Sequence, residues 1–185
     1  MASHYGVAIQ GACIYSEPWN NLPEGEHTPM GIYQMEQSDG YAIKPFLINS
    51  AVYSNGGGAF IGNDFWFVWK QRDPTGQITL CQREKLNLTT GKRESLGICT
   101  NDLMATAAGT AVDPTTGDVY GIFWDSENMS SRELGIIDYP NGTRTMIATI
   151  SQALYALCCD KTGQLYAVTQ SGKLVKVDKT DGMLT

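Results

Sequence analysis

Residues 111–125 read AVDPTTGDVYGIFWD, and residues 156–170 read ALCCDKTGQLYAVTQ. Each runs from an apolar pair through an aspartate and a short polar turn with glycine into an apolar stretch that bears an aromatic ring. Two β-compatible runs across a glycine-containing turn read as a hairpin. Asp113 and Asp160 open the turns, where a carboxylate bonds the backbone two residues on, and Gly117 and Gly163 close them. A third stretch, GGAFIGNDFWFVW at 57–69, follows the same plan: a short strand of small residues, a turn, and a longer aromatic strand.

A second set of turns lies outside these hairpins: EQSDGYAI at 36–43, NLTTGKRE at 87–94, DYPNGTRT at 138–145 and DKTDGMLT at 178–185. Their glycines, Gly40, Gly91, Gly142 and Gly182, are spaced by 51, 51 and 40 residues. Spacings of roughly 40 to 50 residues are those of propeller blades. An alternating apolar stretch precedes each turn, and another follows the first three, so each turn joins the two outer strands of a unit while the aspartate turn joins the two inner ones. The expected fold is therefore all-β, a β-propeller of four-stranded antiparallel blades, with strands a to d running from inside to outside. Residues 1–50 hold a blade lacking strand a, 51–102 and 103–150 hold complete blades, and 151–185 hold a blade that stops where its last strand should begin. The chain reads as a partial propeller of about four blades, either a piece of a larger one or a four-blade form whose last blade is completed from elsewhere. MIATISQALYALCC at 146–159 suits a helix by propensity alone. Its register with the other copies favours strand, corner and strand.

Composition agrees with this reading. Twenty glycines and nine tyrosines point to short strands and many turns. The net charge of −6 comes without a basic cluster, which removes the electrostatic drive for nucleic-acid binding. No run approaches the roughly 20 apolar residues of a membrane-spanning helix. The start MASHYGVAIQ lacks the basic and apolar regions of an export signal.

The pattern AVDPTTGDVYGI, ELGIIDYPNGTRTMIATI, ALCCDKTGQLYAV and KLVKVDKTDG resembles the β-propeller repeats of bacterial exported and cell-surface proteins, of the YVTN, NHL and SMP-30-like kind. The resemblance covers 51–185 well and 1–50 loosely. It implies export to the periplasm or cell surface and says little of activity, because such folds host lactonases, other hydrolases, quinoproteins and plain binding modules alike.

The chemistry-bearing residues narrow the choice. His4 and His27 both fall in the first thirty residues, whereas an axial metal or a histidine base needs such groups on several blades. DPTTGD and DKTDG depart from the calcium-loop pattern and read as capped turns. NGGGAF at 55–60 lacks the lysine and helix start of a phosphate cradle. No metal or cofactor is expected, and no catalytic residue can be assigned. The five cysteines show no zinc spacing; Cys158 and Cys159, adjacent in a strand, point to opposite faces, and Cys81 with Cys99 is left open as a disulfide.

Geometry supplies the remaining expectation. Antiparallel strands alternate ends, so the a–b and c–d turns share one face and the b–c and d–a connections share the other. The b–c connections at 16–30, 70–79 and 125–133 are long, and long loops on a rigid scaffold are where binding usually resides. That face would carry Trp19, Trp69, Arg72, Asp73, Trp124, Asp125, Glu127 and Arg132, with Tyr53, Asn101, Asp102 and Tyr155 from d–a segments. Indole rings among carboxylates and arginines suit a glycan or a protein ligand, so the expected function is a non-enzymatic binding module of the cell envelope or surface. The alternatives are a propeller hydrolase or lyase using axial carboxylates among Asp73, Asp102, Asp125 and Glu127, and a homo-oligomer joined through open blade edges.

Overall fold

A computed structural model describes residues 5–10, 31–36, 42–48, 55–75, 78–87, 89–99, 106–124 and 131–185. Among the described residues there are fourteen strands in four antiparallel sheets and no helix, hence no helix long and apolar enough to cross a membrane. The first sheet holds β1 (Tyr5–Gln10), β2 (Gly31–Glu36) and β3 (Ala42–Ile48). The second holds β4 (Asn55–Ile61), β5 (Asp64–Arg72), β6 (Ile78–Asn87) and β7 (Arg93–Ile98). The third holds β8 (Thr106–Val112), β9 (Val119–Trp124), β10 (Arg132–Asp138) and β11 (Thr143–Ile150). The fourth holds β12 (Leu154–Cys159), β13 (Leu165–Thr169) and β14 (Leu174–Val177), and Leu184 bridges to Val177 beyond it. In every sheet the strands lie side by side in chain order, as the hairpin plan requires.

The turns form as their residues dictate. Gly91, Gly142 and Gly182 take φ of 69°, 71° and 71°, the left-handed conformation that costs glycine little, so three outer turns share one backbone shape. Gly40 lies outside the described residues. Residues 146–159 form the end of β11, a corner and β12 rather than a helix, because neighbouring strands on both sides take their backbone hydrogen bonds.

The first strands of successive sheets are neighbours: β8 packs between β4 and β12. Such close approach needs small side chains. Thr110 donates its hydroxyl hydrogen to the Gly58 carbonyl, and a Cβ on Gly58 would overlap the Phe65 ring. The sheets then bury their faces against each other. Ala59, Val68, Cys81 and Cys99 of the second sheet region meet Val119, Phe123, Ile137 and Tyr139 of the third. On the opposite face of the third sheet, Tyr120, Ile122, Leu134 and Ile150 meet Leu154, Leu157, Leu165, Ala167 and Val177 of the fourth. Alternate residues of β9 therefore belong to different cores, which is why VYGIFW reads as a continuous apolar run with five buried positions. Each fully buried aliphatic side chain here contributes about 1.5–3 kcal/mol.

Polar ties cross the same junctions. The Arg83 guanidinium, from β6, donates to the carbonyls of Tyr139 (2.7 Å) and Pro140 (2.6 Å) in the outer turn of the third sheet, and to Leu96 (2.9 Å) in its own. This fork satisfies the part-buried carbonyls of Tyr139 and Leu96 and reaches the exposed one of Pro140.

Candidate functional site

The two ends of the sheets differ in chemistry. At the a–b and c–d end, the Asp113 carboxylate accepts hydrogen bonds from the Thr115 backbone N–H (2.8 Å) and hydroxyl (2.6 Å), as its place in the turn requires. Its second oxygen accepts from Lys179 Nζ at 2.6 Å, a contact from the third sheet's inner turn to the fourth sheet's outer turn. Asp113 is fully buried. The Lys179 ammonium, then the Thr115 bonds, hold its carboxyl well below the usual carboxylate range against the opposing effect of burial, and Asp113 in turn raises Lys179. Asp160 repeats the device on the Thr162 N–H (2.8 Å) and hydroxyl (2.7 Å), and Asp178 caps the Thr180 N–H at 2.7 Å. These carboxylates cap turns, and among the described residues no group of three or more His, Cys, Asp or Glu is placed to hold a metal.

The other end opens into a cleft. Trp124 ends β9 and Arg132 begins β10, and the two are cross-strand partners. The Arg132 guanidinium lies 3.8 Å from the centre of the Trp124 ring and donates to the Ser131 carbonyl at 2.8 Å. Arg132 is buried, while Trp124 keeps 45% of its surface exposed. An arginine on an indole face is attracted by the ring's negative π surface, which holds the two side chains together. Arg132 also pairs with Ile150 at the end of β11, which brings the corner Ser151, Gln152 and Ala153 beside it. Tyr155, on β12, is 58% exposed. The turn after β13 closes the far side: the Gln170 N–H donates to the Ala153 carbonyl at 3.1 Å, and the Thr169 and Ser171 hydroxyls lie 3.0 Å apart.

Together these groups enclose a cleft of about 510 Å³ lined by Arg132, the 151–153 corner, Tyr155 and the 169–171 turn. Its size is that of a small-ligand site, roughly 300–1,000 Å³. Two serine hydroxyls, two glutamine amides and a threonine hydroxyl supply donors and acceptors around a tyrosine ring. No carboxylate lines it among the described residues. The arrangement can bind and orient a polar ligand.

Of the residues expected on this face, the structure gathers Trp124, Arg132 and Tyr155. Asp73 caps its own turn, accepting from the Thr75 N–H (2.9 Å) and hydroxyl (2.6 Å). Trp69 and Arg72 lie on β5, paired with Gln82 and Ile78. Trp19, Tyr53, Asn101, Asp102, Asp125 and Glu127 lie outside the described residues. Sequence reasoning passes over Ser151, Gln152, Thr169, Gln170 and Ser171, because a search for long connections omits the short one after β13. The signal that finds Thr169, Gln170 and Ser171 is register, since 169–173 occupies the b–c position of the last unit, whereas Ser151 and Gln152 lie in the corner between β11 and β12.

No protein-family model matches the sequence, and no curated protein matches it closely. Solved structures match it in fold. A gluconolactonase from Xanthomonas campestris superposes with a TM-score of 0.52 at 13% identity, over 83% of this chain and 53% of that one. TolB from Acinetobacter baumannii superposes with a TM-score of 0.55 at 15% identity, over 87% of this chain and 38% of that one. The chain thus spans about half of the first protein's length and less of the second's. Such distant likeness speaks to fold alone, and with the sheets above it makes this chain an all-β protein built as a β-propeller of antiparallel blades.

Proposed function

We propose that this protein is a non-enzymatic binding module of the bacterial cell envelope or surface, whose ligand, a glycan or a protein segment, seats in the cleft between the third and fourth sheets. The observation that carries the reading is the lining itself: hydroxyls, amides and an exposed tyrosine ring around a buried arginine, without a carboxylate among the described residues. Hydroxyls and amides match the alternating donors and acceptors of a sugar or a peptide backbone, and an aromatic ring stacks on the apolar face of either. The envelope placement is supported by the resemblance of the repeats to those of exported proteins.

The test is a glycan and peptide panel followed by calorimetric titration of the best binder. Tyr155→Ala removes an exposed ring and is expected to weaken binding about tenfold, a loss of about 1.4 kcal/mol, while the melting temperature stays unchanged. Equal affinity in the variant removes the cleft from consideration. A hydrolase or lyase is the competing reading, and its supporting observation is that Asp125 and Glu127 occupy the connection between Trp124 and Arg132. Turnover of a glycoside or lactone that Asp125→Asn and Glu127→Gln abolish would replace the binding module with that enzyme.

A further inference from the structure

We propose that Cys81 and Cys99 form a disulfide that staples the outermost strand of the second sheet. β6 and β7 pair antiparallel with Gln82 opposite Ile98, which places Cys81 opposite Cys99 one step further on. The Cys99 N–H donates to the Cys81 carbonyl at 2.9 Å, so the two form a hydrogen-bonded cross-strand pair. Such pairs hold their Cα atoms about 5.5 Å apart, inside the roughly 4.4–6.8 Å range that a disulfide spans. The side chains turn toward each other, with the sulfurs 2.9 Å apart. Both residues are buried, at 1% and 7% exposure, in the apolar layer against Val119, Phe123 and Ile137. The sulfurs, 2.9 Å apart, have to close to about 2.05 Å for the bond to form, a step short enough for rotation of the two side chains.

The bond forms by exchange with a low-molecular-weight disulfide such as glutathione disulfide. One cysteine thiolate attacks a sulfur of the small disulfide, joins that half and expels the other as a thiolate. The second cysteine thiolate then attacks the protein sulfur of this mixed disulfide and expels the remaining half. Two electrons pass from the protein to the small disulfide, and the two protons released by the cysteines end on the two expelled thiols. Burial keeps a small disulfide away from the folded pair, so exchange belongs to the stage before β7 docks. Once made, the bond closes a short loop through the 87–92 turn and anchors the chain directly before the connection that carries Asn101 and Asp102.

Peptide mapping tests the proposal. The chain is refolded with glutathione disulfide, denatured, alkylated with iodoacetamide and digested with trypsin. The expected product is residues 73–83 linked to residues 94–132, two hydrogens lighter than the separate peptides. Reduction with dithiothreitol is expected to lower the melting temperature by roughly 5–10 °C, from the loop-closure effect of a bridge over such a span. Cys99→Ser should show no reduction-dependent shift. Complete alkylation of both cysteines after oxidation, or a cross-link from either to Cys13, Cys158 or Cys159, overturns the proposal, and the mapping does so even if the serine variant fails to fold.

Discussion

At one end of the third and fourth sheets, Asp113 is fully buried and both of its carboxylate oxygens are engaged by Thr115 and Lys179. At the other end, Ser151, Gln152, Gln170 and Ser171 are exposed around a cleft that Arg132 and Tyr155 complete. Both ends are rich in polar residues on connections of similar length, yet they are built for different work. A carboxylate at the first position of an Asx turn bonds the backbone next to it and has little left for a ligand. A hydroxyl or amide at a corner between sheets keeps its hydrogen-bonding groups toward water. Position within the connection, more than residue type, separates polar groups spent on the fold from those left open to a ligand.

Disrupting the Asp113–Lys179 pair should have the largest effect. Asp113→Ala leaves the half-buried Lys179 ammonium without its partner and the Thr115 N–H without its acceptor at the sheet junction, and an unsatisfied buried group costs about 1–3 kcal/mol. A melting temperature lower by roughly 5 °C is expected by calorimetry, with affinity at the cleft unchanged in protein that remains folded. Tyr155→Ala should give the reverse pattern, the tenfold loss of affinity described above with no thermal change. If both variants moved both readouts, the two ends would be one coupled unit.

Acidification sharpens the contrast. Asp113 is held below its ordinary value when folded, so the unfolded chain takes up its proton first and stability rises with pH across that window. The stabilisation is complete above the ordinary carboxylate value, about 4, and fades as pH falls through the lower folded value. Asp138, Asp160 and Asp178 are shifted the same way by their turn bonds. Lys179 runs oppositely: its contribution is complete below the ordinary ammonium value of about 10.4 and fades as pH rises past its raised folded value. Thermal melts between pH 5 and 2 should therefore fall less steeply in Asp113→Asn than in the native chain. The smallest effect is expected on the open surface of the second sheet. Glu94→Gln breaks an exposed pair with Lys85 at 3.3 Å and should cost under about 0.5 kcal/mol in a urea titration.

Much of the fold was legible because its determinants are local. Gly91, Gly142 and Gly182 announce the outer turns, and Asp113 and Asp160 announce the inner ones, since each acts on residues two to four positions away. The alternation that marks a half-buried strand fails at β9, where both faces are covered, and only the repeat identifies that strand. Trp124, Arg132 and Tyr155 were accessible from the face argument. The rest of the cleft was not, because its wall is assembled from separate connections, and Ser151 or Gln170 has no local feature that distinguishes a ligand contact from a solvated corner. Arg132 is buried against Trp124, whose ring takes the place of solvent around the guanidinium, a packing that loop length alone does not announce.

The two-sided burial of β9 bears on how the molecule comes apart. In a row of sheets that touch only their neighbours, stability divides into each unit's own contribution and the couplings between adjacent units. Val119 and Phe123 carry one coupling and Tyr120 and Ile122 the other, on a single six-residue strand. The third sheet thus takes part in both junctions, and a substitution that disorders β9 is expected to weaken both at once.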